Sequence, residues 1–459
     1  MKIDLNKINK IYFIGIGGIG ISAVAGIADN KKFLVKGSDA TESEIVNNLR
    51  QQGIEVFVPH DAKNIKKDIN LIVRSVAVPD NNPEIIRALE LNIPIITYPQ
   101  FLGLLLENKF AIGVSGTDGK TTTTAMISKL MIDGKKDPTV VLGAKADFLF
   151  NNWRVGKSDY IIFESDEYRR AFINYHPQIA VITNINLDHL DYYKDEQDYI
   201  SAFIDYIKGM PKDGLLIINA DDENCQSVAE NFSGRIIYFS LDSGADYMAT
   251  NIRIEGNKQL FELWHHGELL EEFELSLPGR HNVADAVAAI IVALEIGIDL
   301  DICWKSLAEF KGVWRRFEHL GKLGRTEIIA DYAHTPDAIR KNITAIRDFY
   351  PEEKILIVFQ PHQYNRTKNF FNEFVISFNR ADKVIVSDIY FVEGRENPND
   401  FNINSKKLTE AIIANGVNAI YGGNLNQTEE IIKYEAINFD LILILGAGDI
   451  YNLAKNLVK

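Results

Sequence analysis

The chain has 459 residues, 46% hydrophobic and 24% charged, enough for about three domains of ~150 residues with ordinary cores. Its formal net charge of −14 argues against a nucleic-acid partner, which needs clustered Lys and Arg, and its longest apolar stretch, 287–294, is far too short to span a membrane. Two widely spaced cysteines, Cys225 and Cys303, read as buried thiols in a reducing compartment, and residues 1–10 lack the apolar core of a signal peptide, so a cytoplasmic location is expected.

In chain order, residues 11–14 read as an apolar strand, 15–20 as a glycine turn and 21–28 as a helix, with the next strand at 33–35. Gly15, Gly17, Gly18 and Gly20 form the turn, and Asp39 falls near the end of the second strand, where a ribose-binding acid would sit. The same geometry serves a nicotinamide dinucleotide, another diphosphate such as that of a UDP-sugar, or a turn that merely packs a helix on a strand. Strands at 71–73 and 95–96 flank a helix at 83–91, and this α/β block ends near Glu107.

A second block opens with a strand at 111–114 followed by Gly116-Thr117-Asp118-Gly119-Lys120-Thr121-Thr122 and a helix. Glycines there let backbone N–H groups approach phosphate oxygens, Lys120 adds a mobile charge, and the Thr121 hydroxyl can ligate Mg²⁺, so ATP is the expected ligand. The usual first glycine of such a loop is replaced by Val114, and confirmation rests on further magnesium ligands. Strands at 160–163, 179–183 and 215–218 predict a doubly wound sheet, and two of them end in ligand-capable groups. These are Glu164-Ser165-Asp166-Glu167 after the first, and Asn184 with Asp188-His189 after the second. Glu164 is the stronger magnesium ligand on chemistry alone, because Mg²⁺ prefers oxygen. Residues 235–277 alternate like antiparallel strands, an extra sheet at the edge of this block.

Asn282 stands at the start of a helix expected over 283–294, where it caps the helix or reads a base edge. Arg315 and Arg316 lie in a loop ahead of the third block, whose strands are expected at 328–330, 355–359, 383–386 and 441–445 with a helix at 335–349. Asp331 and His334 follow the first of these strands, and His362 and Arg366 the second. Arg366 either clamps a carboxylate or is a surface arginine. Two independent phosphate sites suit an enzyme that joins or phosphorylates better than one that moves a hydride, which makes a dehydrogenase the minority reading.

Taken together the motifs resemble the Mur ligase family of peptidoglycan synthesis from end to end. They are Gly-Ile-Gly-Gly-Ile-Gly at 15–20, Gly-Thr-Asp-Gly-Lys-Thr-Thr-Thr-Thr at 116–124, Glu-Ser-Asp-Glu at 164–167 and Thr-Asn-Ile-Asn-Leu-Asp-His-Leu-Asp at 183–191. Gly-Arg-His-Asn-Val at 279–283, Gly-Val-Trp-Arg-Arg-Phe-Glu at 312–318, Asp-Tyr-Ala-His at 331–334, Phe-Gln-Pro-His at 359–362 and Gly-Ala-Gly-Asp-Ile at 446–450 continue the series. The resemblance implies three α/β domains: a Rossmann-like UDP-sugar domain over 1–107, a P-loop-type ATP domain with an extra antiparallel sheet over 108–320, and a Rossmann-like amino-acid domain over 321–459. It implies magnesium ligation by Thr121, Glu164 and His189 (Mn²⁺ being able to substitute), adenine contact by Asn282 and nucleotide contact by Arg316 and Asp331. Lys120, His189, His334 and Arg366 would be catalytic, with His334, His362 and Arg366 contacting the amino acid or the intermediate. The implied reaction is ATP-dependent joining of L-alanine to the lactyl carboxylate of UDP-N-acetylmuramate through an acyl phosphate, by a monomer or weak homodimer. A ligase that recycles murein tripeptide is the alternative within the family. Several residues depart from the family pattern: Asp118 stands where His is usual, Glu167-Tyr168 is closer to the recycling ligase, Phe203 lies where several relatives carry a carbamoylated lysine, and Gln363 lies where Arg is frequent. Hinges are expected near Glu107 and Gly321.

Overall fold

Parallel strands cannot be joined by tight turns, and this chain supplies a crossover between most of its strands. The computed structural model describes residues 3–31, 33–149, 151–242, 244–392, 396 and 398–458. Strands Lys10–Ile14, Leu34–Ser38, Glu55–Phe57, Leu71–Arg74 and Ile95–Thr97 make an all-parallel sheet in the spatial order third, second, first, fourth, fifth. The order reverses at the first strand, so the glycine turn stands at the switch point where open α/β sheets bind ligands. Helix Ile19–Asn30 starts directly from that turn, with Gly18 as its cap and no side chain covering its first N–H groups.

The central sheet runs Arg235–Ser240, Leu215–Asn219, Ile179–Ile182, Phe110–Ser115, Tyr160–Glu164, Thr139–Val141 and Trp153–Arg154 in spatial order. Its middle strands are covered on both faces, which is why Ile112, Val114, Ile162 and Phe163 are fully buried in near-continuous apolar runs. Arg235–Ser240, expected among the antiparallel strands, pairs parallel with Leu215–Asn219 on one side. Antiparallel pairing joins Tyr247–Glu255 to Lys258–His265 and Lys258–His265 to Glu268–Leu275. Helix Lys120–Asp133 forms despite four consecutive threonines of modest helix propensity, because all four are buried and packing outweighs propensity.

The third sheet has the order Glu318–Leu323, Thr326–Asp331, Leu441–Leu445, Ile355–Phe359, Lys383–Ser387 and Ala419–Gly423, antiparallel only in its first pair. Residue 321 falls inside the strand Glu318–Leu323, so we propose that the boundary of the third domain lies ahead of Glu318 rather than at 321. Helix Pro336–Phe349 begins with Pro at its first turn and with the Thr335 hydroxyl accepting from the Ala338 N–H, two independent start signals.

By contacts the chain divides into two units, residues 1–186, 196–239 and 288–303 in one, and 187–195, 240–287 and 304–459 in the other. Glu107 therefore lies inside the first unit rather than at a division between units. Cys225 and Cys303 are both buried and free. No described helix is long and apolar enough to cross a membrane.

Candidate active site

In the first unit, the loop after Phe110–Ser115 turns on Gly116 at φ 133° and Gly119 at φ 83° before entering helix Lys120–Asp133. A side chain at Gly116 would strike the Thr183 hydroxyl and the Asn184 backbone, so the turn excludes any other residue there. The Asn184 amide grips the loop from both sides: its oxygen accepts from the Asp118 N–H at 3.0 Å and its nitrogen donates to the Asp118 carbonyl at 3.0 Å. Thr183 donates to that same carbonyl at 2.6 Å, and the Thr117 hydroxyl donates to the Asn186 carbonyl at 2.7 Å. The backbone of Asp118 is thus held without help from its side chain.

Lys120 donates to the carbonyls of Gly116 and Thr117 and pairs with Glu167 at 2.9 Å, a carboxylate only 1% exposed. Burial would lower the pKa of its ammonium, but Glu167, Asp166 and Asp118 outweigh burial and hold it above its ordinary value, so it stays charged. The Thr121 hydroxyl donates to Glu164 at 3.0 Å, and the other oxygen of Glu164 accepts from the Gly143 N–H. Thr122 is buried in the helix. On the neighbouring sheet of this unit, Asp39 accepts from the Gly17 N–H at 2.8 Å and so fastens the glycine turn to the second strand.

In the second unit, Arg366 is only 6% exposed, and the carboxylate that it clamps belongs to the chain itself: one guanidinium nitrogen lies 2.9 and 3.2 Å from the two oxygens of Asp188. The surface-arginine reading is therefore excluded. Burial would raise the pKa of Asp188, yet the adjoining Arg366 guanidinium prevails and holds it well below the carboxylate range. A second nitrogen of Arg366 lies 3.3 Å from His362 Nδ1, which must accept because a guanidinium only donates. The Nε of Arg366 is buried with no hydrogen-bond partner. His189 sits beside Asp188 with a left-handed backbone at φ 56° and its N–H on the Asp188 carboxylate.

His334 Nδ1 donates to the Tyr332 carbonyl at 3.0 Å, which leaves Nε2 as the basic nitrogen. Burial, with Arg366 and His362 nearby, pushes its pKa well below the ordinary histidine value, so it is neutral at pH 7. Its ring meets that of His362 edge-on, with centroids 5.7 Å apart. Asp331 accepts from the N–H groups of Phe317 at 2.8 Å and Ala333 at 2.7 Å, and the Arg316 guanidinium lies 4.8 Å from the ring centre of Tyr332. Asn282 lies inside helix Arg280–Glu295, and its amide nitrogen donates back to the Pro278 carbonyl at 2.7 Å. It therefore does not make the N-cap bond, in which the side chain would accept.

Family descriptions match this chain in order, the Mur ligase family, catalytic domain over residues 10–110, the Mur ligase middle domain over 114–293, and the Mur ligase, glutamate ligase domain over 315–448. The chain belongs to the Mur ligase family. This Mur ligase is 39% identical over 456 residues to the UDP-N-acetylmuramate–L-alanine ligase of Clostridium novyi (strain NT), covering 98% of this chain and 97% of that one. It is 40% identical over 463 residues to the enzyme of the same name from Clostridium tetani (strain Massachusetts / E88), covering 100% of both. Among solved structures, UDP-N-acetylmuramate-alanine ligase MurC from Thermotoga maritima superposes with a TM-score of 0.84 at 32% identity over 98% of each chain.

Some residues that shape the site of this Mur ligase were not distinguishable in sequence. Arg315 and Arg316 look equivalent there, but Arg315 donates to the carbonyls of Gly446 and Gly448 at 2.8 and 2.9 Å and lies among Trp314, Tyr332 and Tyr451. It is a structural clamp on the backbone of the 446–450 motif, where a side chain at Gly448 would strike Gln360 and Tyr390. Asp188 as partner of Arg366, across 178 residues, left no local signal. Glu167 stood among the acids after the strand, but nothing in the spacing marked it as the counter-ion of Lys120. Phe203 is fully buried and packs edge-on against Phe172 and Tyr199.

Proposed function

We propose that this Mur ligase joins L-alanine to the lactyl carboxylate of UDP-N-acetylmuramate at the expense of ATP, in the synthesis of peptidoglycan precursors. The observation that carries the reading is the first-unit loop, where a permanently charged Lys120 and the Thr121–Glu164 oxygen pair stand at an uncapped helix start. The nearly full-length relatives named UDP-N-acetylmuramate–L-alanine ligase supply the acceptor and the amino acid.

The two oxygens of Thr121 and Glu164 are 3.0 Å apart. Adjacent vertices of an octahedron with metal–oxygen bonds of about 2.1 Å are separated by about 3.0 Å, so this hard donor pair fits Mg²⁺. His189 would be a third ligand. When bound, Mg²⁺ would offset the charge of the phosphate oxygens. Lys120 leaves its carbonyl partners for the γ-phosphate, while the N–H groups of Gly119 and Lys120, beyond the two that Asn184 occupies, hold the β-phosphate. The lactyl carboxylate oxygen attacks the γ-phosphorus and ADP leaves, producing an acyl phosphate. The amine of alanine then attacks the acyl carbon, inorganic phosphate departs, and the amide nitrogen loses a proton. Neutral His334, with Nε2 as its basic nitrogen, accepts that proton. The Nε–H of Arg366 receives the carboxylate of alanine, and Asn282, Arg316 and Asp331 hold the nucleoside.

Purified protein with UDP-N-acetylmuramate, ATP and Mg²⁺ should release phosphate on addition of L-alanine, and faster than with glycine or L-serine. Turnover with murein tripeptide but with no single amino acid would establish the recycling reaction instead. Asp118→His provides a second check. Its backbone clamp does not need the side chain, and removing an acid from beside the phosphates lowers the KM for ATP by about threefold to tenfold. A raised KM in that variant would mean that the carboxylate assists nucleotide binding.

A further inference from the structure

We propose that Asn152 is a positioning residue that fixes the register between the glycine-turn helix and the ATP-site carboxylate Glu164. The proposal rests on the reading that the turn holds the UDP-sugar and the 116–122 loop holds ATP. Asn152 is 2% exposed and uses its side-chain amide twice, donating to the Ile19 carbonyl at 2.7 Å and to the Leu142 carbonyl at 3.3 Å. Its own carbonyl accepts from the Leu142 N–H at 2.9 Å, which prolongs the antiparallel pairing of Thr139–Val141 with Trp153–Arg154.

The two ends of this bridge are functional positions. Ile19 is the first residue of the helix that leaves the glycine turn. Leu142 precedes Gly143, whose N–H donates to Glu164, and Glu164 in turn accepts from Thr121 in the first turn of the other phosphate-site helix. A short run of hydrogen bonds therefore joins the first turns of two helices that lie on different sheets. Close packing stiffens it at both ends. A methyl group at Gly26, in the glycine-turn helix, would overlap the Trp153 indole, and one at Gly143 would overlap the Glu164 carboxylate. The indole N–H of Trp153 has no hydrogen-bond partner, so Trp153 is held by shape, and among the described residues it is Asn152 that makes the polar contact with the first turn of the glycine-turn helix.

Attack of a carboxylate on a phosphorus needs reacting atoms about 3–3.5 Å apart, and a misplacement of about 1 Å costs about 10²-fold in rate. A register element should therefore govern turnover far more than the affinity of either site for its own ligand. The test compares wild type with Asn152→Asp, which keeps the shape and replaces the donor by an acceptor, with Asn152→Leu, which removes the polar group, and with Gly26→Ala, which wedges the helix from its other contact. With all three substrates saturating, kcat should fall about 10- to 100-fold in each. Calorimetric Kd values for UDP-N-acetylmuramate alone and for a non-hydrolysable ATP analogue alone should stay within about threefold. A kcat within about twofold of wild type in Asn152→Asp would overturn the proposal. So would parallel weakening of both Kd values, which would mean that Asn152 only supports the fold. Failure of the wild type to bind UDP-N-acetylmuramate would overturn the underlying functional reading instead.

Discussion

Lys120→Ala is expected to reduce ATP-dependent phosphate release by about 10²- to 10³-fold, the typical cost of deleting one preorganised charge at a transition state. Binding of UDP-N-acetylmuramate, measured by calorimetry, should change by less than about twofold, because the glycine turn belongs to a different sheet and takes its fixed geometry from Asp39 rather than from Lys120. The variant also leaves Glu167 buried without its cation, and loss of one partner of a buried pair destabilises by about 3–5 kcal/mol. Lys120→Ala combined with Glu167→Gln separates the two effects. The double variant should regain most of the lost thermal stability while remaining inactive. Near-normal turnover in either variant would contradict the proposed role of Lys120.

The second large effect is expected at Asp188. Replacing it by Ala strands a buried guanidinium and should destabilise the protein by about 3–5 kcal/mol, seen in denaturant unfolding. Combined Asp188→Leu and Arg366→Met removes both charges and should recover most of that stability, yet stay inactive because the carboxylate-binding group is gone. The pH dependence follows from the same cluster. Asp188 has a depressed pKa in the folded state, so its contribution is complete above the unfolded value near 4 and is lost as pH falls toward the folded value. His334 is also depressed, so below about 6.5 the unfolded chain binds a proton that the native state refuses, and stability again declines. The two act in the same direction. The melting temperature should begin to fall below about pH 6.5 and fall more steeply near pH 4, and Asp188→Ala should lack the second decline.

Much of this architecture was legible because parallel α/β structure writes itself locally. The strands Ile355–Phe359 and Leu441–Leu445 are short apolar runs between turn signals, and their expected and observed limits coincide. Arg235–Ser240 was expected among antiparallel strands yet pairs parallel with Leu215–Asn219, because strand pairing is not a property of one segment. Its alternation suits an antiparallel edge equally well, and the crossover through helix Glu223–Ala229 makes it parallel. Asn282 shows a similar limit at a helix start. Whether the helix begins at Arg280 or after Asn282 changes the amide from a cap to a donor within the first turn, and helix ends are the part of a pattern that sequence resolves least.

By itself the sequence determined the three α/β blocks, both glycine-rich phosphate turns and the residue types in the site, since each depends on spacing over a few residues. Tertiary structure alone decided how those residues are used. It made Glu167 the counter-ion of Lys120, Asp188 the partner of Arg366, Arg315 a clamp on Gly446 and Gly448, and Asn152 the tie between two helices. The physical reason is that a buried charge or amide must find its partner wherever folding brings one within about 3 Å, and separation along the chain does not enter that requirement.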